Sequence, residues 1–312
     1  MRKEWINMNI IRMTGGLGNQ MFQYALFLRL KAQGKEVKFD DRTEYKGEGA
    51  RPILLWAFGI DYPAAGEEEV NELTDGFMKF SHRLRRKLFG RKSKEYREKS
   101  CNFDQQILER EAAYFTGYFQ SERYFEEVKE QVRKAFQFSG KIWGSVSKEL
   151  EERIREYQTK IENKSQMPVS VHIRRGDYLE NDEAYGGICT DAYYRKAIEM
   201  MEEKFPNTVF YIFSNDTGWA KQWIDHFYKE KSRFIVIEGT TEDTGYLDLF
   251  LMSKCRAHII ANSSFSWWGA WLDPDQEKIV IAPSKWVNNQ DMRDIYTEEM
   301  IRVSPEGEIT SL

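Results

Sequence analysis

Two adjacent guanidinium groups, Arg174 and Arg175, directly follow the apolar run Val169-Ser-Val-His172-Ile and directly precede Gly176-Asp177. An arginine presents a planar fork of N–H donors shaped for carboxylate or phosphate oxygens, and two forks side by side suit an anion of multiple charge. Two more polar clusters follow apolar runs of the same kind. One is Ser214-Asn215-Asp216-Thr217 and the other is Asn262-Ser263-Ser264-Phe265-Ser266. Small hydroxyl residues where a strand turns into a helix offer O–H and backbone N–H donors to a phosphate. A carboxylate such as Asp216 accepts from the N–H edge of a base such as guanine. Arginine, serine and acid together describe a nucleotide-diphosphate site. Each cluster also has a plainer reading. One arginine could serve an internal carboxylate such as Asp177, and Asn262-Ser263-Ser264 could be no more than a helix N-cap. Trp267, Trp268 and Trp271 are read as core on a helix face, while Phe265 and Trp268 could serve either core or sugar.

What positions these clusters is an alternation of strands and helices. The segments 169–173, 208–214, 233–237, 257–261 and 278–282 are near-continuous apolar runs, with helical stretches such as 191–205 and 217–228 between them. That pattern predicts a parallel sheet covered on both faces, with ligands at the carboxyl ends of its strands. All three polar clusters stand at such ends. Upstream, a short apolar strand at 9–13 leads through Thr14-Gly-Gly16-Leu-Gly18-Asn19-Gln20 into a helix that stops at Gly34, and EVKFD then forms a second strand. Residues 41–165 are charged, aromatic and irregular. A long polar helix within 141–167 ends at Pro168, which sets the domain boundary: 1–167 as an N-terminal domain, 168–290 as a C-terminal one, and 291–312 as a tail packing back on the first.

The glycine-rich segment invites a dinucleotide reading, and hence an oxidoreductase. Gly16 and Gly18 have the required spacing and Asp40 stands where a ribose-binding acid would, but Met21 occupies the third small position and no Tyr-x-x-x-Lys is evident. The glycines still permit close backbone approach to a ligand, with Asn19 and Gln20 able to present amides. A non-catalytic carbohydrate-binding module, suggested by 14% aromatic residues, explains neither the arginine pair nor the serine loop. The net charge of -4 gives no field for nucleic acid. Three scattered cysteines form neither a disulfide framework nor a metal set, and fit a reducing, cytoplasmic setting. The one Asp-x-Asp, Asp273-Pro-Asp275, reads as a helix stop rather than a metal site. The stretch 81–99 holds nine Lys or Arg, and Phe77, Phe80, Leu84 and Leu88 give it an apolar stripe. A solvated helix face is the plain reading, and docking on an anionic membrane at the inner surface the sharper one.

The motifs Gly15-Gly16-Leu17-Gly18-Asn19-Gln20-Met21-Phe22-Gln23-Tyr24-Ala25, His172-Ile173-Arg174-Arg175-Gly176-Asp177-Tyr178, Phe213-Ser214-Asn215-Asp216 and Asn262-Ser263-Ser264-Phe265-Ser266-Trp267-Trp268, in that order, resemble those of the α-1,2-fucosyltransferases. The likeness runs from about residue 10 to about residue 290 and is to the bacterial, soluble branch, glycosyltransferase family 11-like. It implies an α/β, GT-B architecture, with two Rossmann-like domains facing a cleft. It implies inverting transfer of L-fucose from GDP-fucose to the 2-hydroxyl of a β-galactoside, with neither cofactor nor metal. The acceptor would be a glycan of lipopolysaccharide, capsule or host-like oligosaccharide type. A related GDP-sugar transferase with another acceptor or linkage is the alternative. Carried over by position, Arg174 would hold the β-phosphate and Arg175 and His172 would support its loop. Asp216 would meet guanine, Ser263 or Ser264 the phosphate oxygens, and Asn19 would stand near the reacting centre. Asp177 is a candidate general base or an orienter of the arginines.

Overall fold

The computed structural model describes residues 8–45, 51–76, 84, 87–88, 93–176 and 181–311. The chain divides into two compact units, one of residues 1–137 with Arg293–Ile295, the other of Phe138–Met292 with Tyr296–Leu312.

In the first unit, strand β1 (Met8–Arg12) enters helix α1 (Leu17–Ala32), and strand β2 (Glu36–Asp40) follows. Helix α1 ends as the sequence predicts. Gly34 takes φ +79°, its N–H bonds Lys31 O at 2.9 Å and the next N–H bonds Leu30 O at 3.2 Å. Only glycine takes that left-handed conformation without steric cost, and the two bonds satisfy carbonyls the helix leaves open. Helix α2 (Glu67–Thr74) and strands β3 (Glu95–Arg97) and β4 (Tyr114–Thr116) complete a parallel sheet in the order β2-β1-β4-β3. The region that reads as irregular therefore contributes half the strands of its sheet. At three residues each, β3 and β4 are too short to show a period of two.

In the second unit, helix α3 (Lys148–Ile161) precedes β5 (Met167–Ile173), α4 (Asp191–Lys204), β6 (Thr208–Ser214), α5 (Thr217–Phe227), β7 (Phe234–Val236), α6 (Gly245–Met252), β8 (Ala257–Ile259), α7 (Ser264–Trp271) and β9 (Ile279–Pro283). Strands β10 (Met300–Val303) and β11 (Ile309–Ser311) close the chain. The sheet runs β11-β10-β9-β8-β5-β6-β7, parallel except for β10 with β11. All five apolar runs of the sequence are strands here. The period of two decides what each side chain of β5 meets. Val169, Val171 and Ile173 join a core with Tyr193, Tyr194, Ile198 and Trp223, while Ser170 and His172 turn to the opposite face.

The units divide at 137/138, some thirty residues before the boundary expected at 167/168. Side-chain contacts explain the shift. Phe138 and Trp143 pack edge-on against Phe250, Ser145 Oγ lies 2.9 Å from Tyr246 Oη, and Tyr157 Oη donates to Val236 O. The polar helix α3 is thus built onto the second sheet. The tail divides as well: β10 and β11 extend that sheet. Arg293–Ile295 belongs to the first unit, where the Asp294 carboxylate accepts from Phe103 N and Arg123 Nη1.

Candidate functional site

From β5 the chain of the second unit moves outward through β6 and β7, then returns past β5 to β8 and onward through β9. Strand order thus reverses between β5 and β8. In an open α/β sheet, a crevice forms at such a switch point, outside the carboxyl ends of the strands. The two loops that flank it are 174–176 and 260–264, those of the arginine pair and of the serines.

Hydrogen bonds from neighbouring loops shape the first. The Asn215 side chain accepts from Arg175 N at 2.8 Å and donates to Arg175 O at 3.1 Å. Gly176, at φ +64°, has no room for a side chain, since a Cβ there would stand 2.7 Å from Asn215 Nδ2. Arg175 lies with its guanidinium 4.1 Å from the centre of the Trp219 ring, and its Nε is 3.4 Å from Asp216 Oδ2. Asp216 also caps α5, accepting from Trp219 N at 2.9 Å, and Ser214 Oγ accepts from Asp216 N at 3.0 Å. One arginine of the pair does serve an internal carboxylate, and that carboxylate is Asp216. Asp177 and Tyr178 lie outside the described residues.

His172 is buried beneath this loop. Its Nδ1 is 2.9 Å from Ser266 Oγ, its ring lies 5.7 Å from that of Phe265, and its carbonyl accepts from Tyr194 Oη. Burial first, and then the Arg174 charge, hold its pKa down at about 3, so the imidazole is neutral at every physiological pH. Positive charge on this loop is therefore carried by the guanidinium groups. In the second loop Ser263 is the N-cap of α7, accepting from Phe265 N at 3.3 Å, and half-buried Ser264 begins the helix. Asn262 is structural: it donates to Trp286 O at 2.9 Å and accepts from Cys189 Sγ. Burial pushes the Cys189 thiol up to about 12, which makes it a poor nucleophile. Trp267, Trp268 and Trp271 are buried core.

Asp248, in the first turn of α6, escapes sequence reading. Burial pushes its carboxyl up to about 7, against a hydrogen bond from Thr240 in the loop after β7, and its Oδ1 is buried without a hydrogen-bond partner. Gly245 of the same turn approaches Phe265, which touches His172, so Asp248 belongs to the same sheet edge. Such a carboxylate is a candidate acceptor for a ligand's N–H groups. A second group reads only in three dimensions. Ser170 Oγ lies 2.8 Å from His258 Nδ1, and His258 Nε2 lies 3.1 Å from Asp273 Oδ2, all three buried within the sheet layers. Without access to solvent this chain is scaffold, and it occupies one carboxylate of the Asp-x-Asp. Asp273→Ala leaves buried donors unpaired. It is expected to cost about 1–3 kcal/mol, read as a lowered melting temperature.

In the first unit, Gly16 is the N-cap of α1 and a Cβ on it would stand 3.2 Å from Arg51 Nη1. Gly18 is buried in the first turn. Gln20 works as an internal clamp. It donates to Gly15 O and Pro52 O, accepts from Leu54 N and meets Tyr45 Oη, all within 3.3 Å. Half-buried Asn19 accepts from Gln120 Nε2 at 2.7 Å. Asp40 takes up the amides of Arg42 and Thr43 together with Thr43 Oγ1 and Tyr114 Oη. Burial raises its pKa, but these bonds outweigh burial and lower it. A carboxylate so occupied is not offered to a ribose, which removes the main support for the dinucleotide reading.

Among the described residues no helix is long and apolar enough to cross a membrane, and no three His, Cys, Asp or Glu side chains group as metal ligands. Of the basic stretch 81–99, residues 81–83, 85–86 and 89–92 lie outside the described residues, as do Phe77 and Phe80; Leu84 and Leu88 are exposed.

The family model described as glycosyl transferase family 11 matches residues 91–304. An Escherichia coli α-1,2-colitosyltransferase is 35% identical over 307 residues, covering 94% of this chain and 98% of the relative. An E. coli O-antigen biosynthesis glycosyltransferase, WbnK, is 29% identical over 88% of this chain and 93% of its own. In three dimensions a mutant Arabidopsis thaliana FUT1 solved with GDP superposes with a TM-score of 0.51 at 10% identity, over 89% of this chain and 71% of that one. That likeness shows the fold alone, which is GT-B.

Proposed function

The chain belongs to glycosyltransferase family 11; from that premise we propose that it transfers L-fucose from GDP-fucose to the 2-hydroxyl of a terminal galactose, giving an α-1,2 linkage with inversion. The observation that carries the donor half is the meeting of the Arg174–Arg175 loop and the Ser263–Ser264 helix start at the switch point of the second sheet. In the reaction the bond from fucose C1 to the β-phosphate oxygen breaks and its electron pair leaves with GDP. The acceptor oxygen bonds C1 from the other face and gives up its proton. Charge grows on the leaving diphosphate, and donors already aimed at it stabilise the transition state more than the ground state. Arg174 takes that role, with the hydroxyls of Ser263 and Ser264 and the first amides of α7 on the other side. Arg175 is held by Trp219 and Asp216, and with Asn215 it fixes the loop on which Arg174 stands. Asp248, rather than the doubly engaged Asp216, is the better acceptor for the guanine N–H edge. Asp177 remains our candidate for the acceptor proton. No metal takes part in this scheme.

A second donor has a specific observation behind it, the relative named for colitose transfer. The relative named for O-antigen biosynthesis supports a surface polysaccharide as acceptor, which suits assembly on the cytoplasmic side of the membrane. Both donors are distinguished by one assay. GDP-fucose and GDP-colitose are offered with lactose, N-acetyllactosamine and galacto-N-biose, and the product linkage is read by NMR. Transfer from GDP-fucose to the galactose 2-position, undiminished in excess EDTA, is the expected result. Transfer from neither donor, or activity abolished by the chelator, contradicts the scheme.

A further inference from the structure

Helix α3 stands over the loop that leaves β7. Tyr157 Oη donates at 3.3 Å to the carbonyl of Val236, the last residue of that strand. Arg153 and Leu150, one and two turns nearer the helix start, meet Gly239 beyond the strand end. The helix therefore runs against the strand, and its first turns stand at the carboxyl edge of the second sheet, where the arginine and serine loops also lie. Contact with α3 shapes the loop. Gly239 takes φ +98°, and a Cβ on it would stand 2.5 Å from Arg153 Nη1 and 3.3 Å from Leu150 Cδ1. Only glycine takes that backbone without steric cost and leaves the guanidinium its place. Arg153 is exposed and pairs with no described residue. Its neighbour Arg155 behaves otherwise, bonding Glu151 and lying over Trp143. Gly239 is followed by Thr240, whose hydroxyl bonds the Asp248 carboxyl, and Asp248 Oδ1 is buried without a hydrogen-bond partner. Two adjacent loop residues thus hold an arginine and a carboxylate that do not pair with each other. Donors and an acceptor left open side by side suit a ligand that carries both kinds of group.

Resting on the donor reading above, we propose that Arg153 reads the guanine base together with Asp248: the carboxylate accepts from the base N1–H and N2–H, and the guanidinium donates to its O6 and N7. The two edges adjoin on the purine, and the arginine fork matches the O6 and N7 pair, as it does where proteins read guanine in nucleic acids. Adenine presents an amino group in place of O6, so the same arginine meets a donor and the base is turned away. Arg153 acts on the base, whereas Arg174 acts on the diphosphate.

Calorimetric titration of the parent chain and Arg153→Ala with GDP, 7-deaza-GDP and ADP tests this. The deaza nucleotide carries C–H where guanine has N7, and the parent is expected to bind it about tenfold less tightly than GDP. In Arg153→Ala, GDP affinity is expected to fall about tenfold or more, and GDP and 7-deaza-GDP are expected to bind alike, because the substitution and the missing nitrogen remove one and the same contact. Arg153→Lys keeps the charge without the fork and is expected to recover little. The side chain is exposed, so circular dichroism of both variants should match the parent. Equal affinity of the parent for GDP and 7-deaza-GDP, a gap that survives in Arg153→Ala, or an equal loss for GDP and ADP overturns the assignment. A parent chain that binds GDP no more tightly than ADP refutes the GDP-sugar reading instead.

Discussion

Arg174→Ala is expected to fold normally and to transfer sugar about 10²–10³-fold more slowly, the loss seen when one donor to a developing negative charge is removed. Arg174 is half-buried on a loop whose shape is set by Asn215, Gly176 and Arg175, so truncating it removes charge without removing the frame. The loss should fall mainly on kcat, since the diphosphate is more negative in the transition state than in bound GDP-fucose. Arg174→Lys should recover little, because an ammonium has the charge but lacks the planar fork. His172 does not replace the lost cation, because burial, the first cause of its lowered pKa, disfavours its charged form whether or not Arg174 is present. Steady-state kinetics with a circular-dichroism check of folding measures this. Turnover within a few-fold of the parent in Arg174→Ala would remove the arginine from the reaction.

Asp248→Asn is expected to change both GDP affinity and its pH dependence. A carboxylate accepts from the two N–H groups of a guanine edge, whereas an amide turns one donor toward another. Hydrogen bonds to a charged group are worth about 1.5–3 kcal/mol, or roughly 10–100-fold in affinity. Free Asp248 titrates near 7, and bound guanine favours its ionised form. Below pH 7, then, GDP binding must release a proton, and affinity should fall by about tenfold for each further unit of acid until the bound form also takes up a proton. In Asp248→Asn that slope disappears and affinity stays low. Stability of the free protein moves the opposite way. The folded-state pKa lies above the unfolded one, so between about pH 4 and 7 the unfolded chain has released a proton that the folded chain keeps. Stability from this group is complete below that window and lost as pH rises through it. Asp248→Asn should therefore raise the melting temperature more at pH 8 than at pH 5. Calorimetric GDP titrations at pH 6, 7 and 8 decide the matter, and pH-independent affinity in the parent would clear Asp248 of the role.

The legible parts of this protein are those with period or punctuation. Five strands of the second sheet, the stop at Gly34 and three polar loops at strand ends follow from apolar runs and from residues that turn a chain. Three-residue strands such as Glu95–Arg97 and Tyr114–Thr116 carry no period, and the sheet they complete is invisible in one dimension. Asp248 looks like the polar member of an amphipathic helix in Gly245–Met252, and only the folded chain buries its Oδ1 and raises its pKa. Ser170 and His258, 88 residues apart, meet through strand pairing, and Asp273, 15 residues further on, reaches them from beyond α7. Gln20 shows the reverse limit. Its amide beside the glycines suggests a ligand contact, yet every partner it has lies inside the unit.

The most direct measurement is titration of the parent chain and Arg174→Ala with GDP and with GMP. A cradle for the diphosphate at the β5–β8 switch point means that GDP binds the parent at least about tenfold more tightly than GMP, a difference of ~1.4 kcal/mol, and that the gap closes in the variant. Equal affinity of the parent for the two nucleotides, or a gap untouched by the substitution, contradicts it.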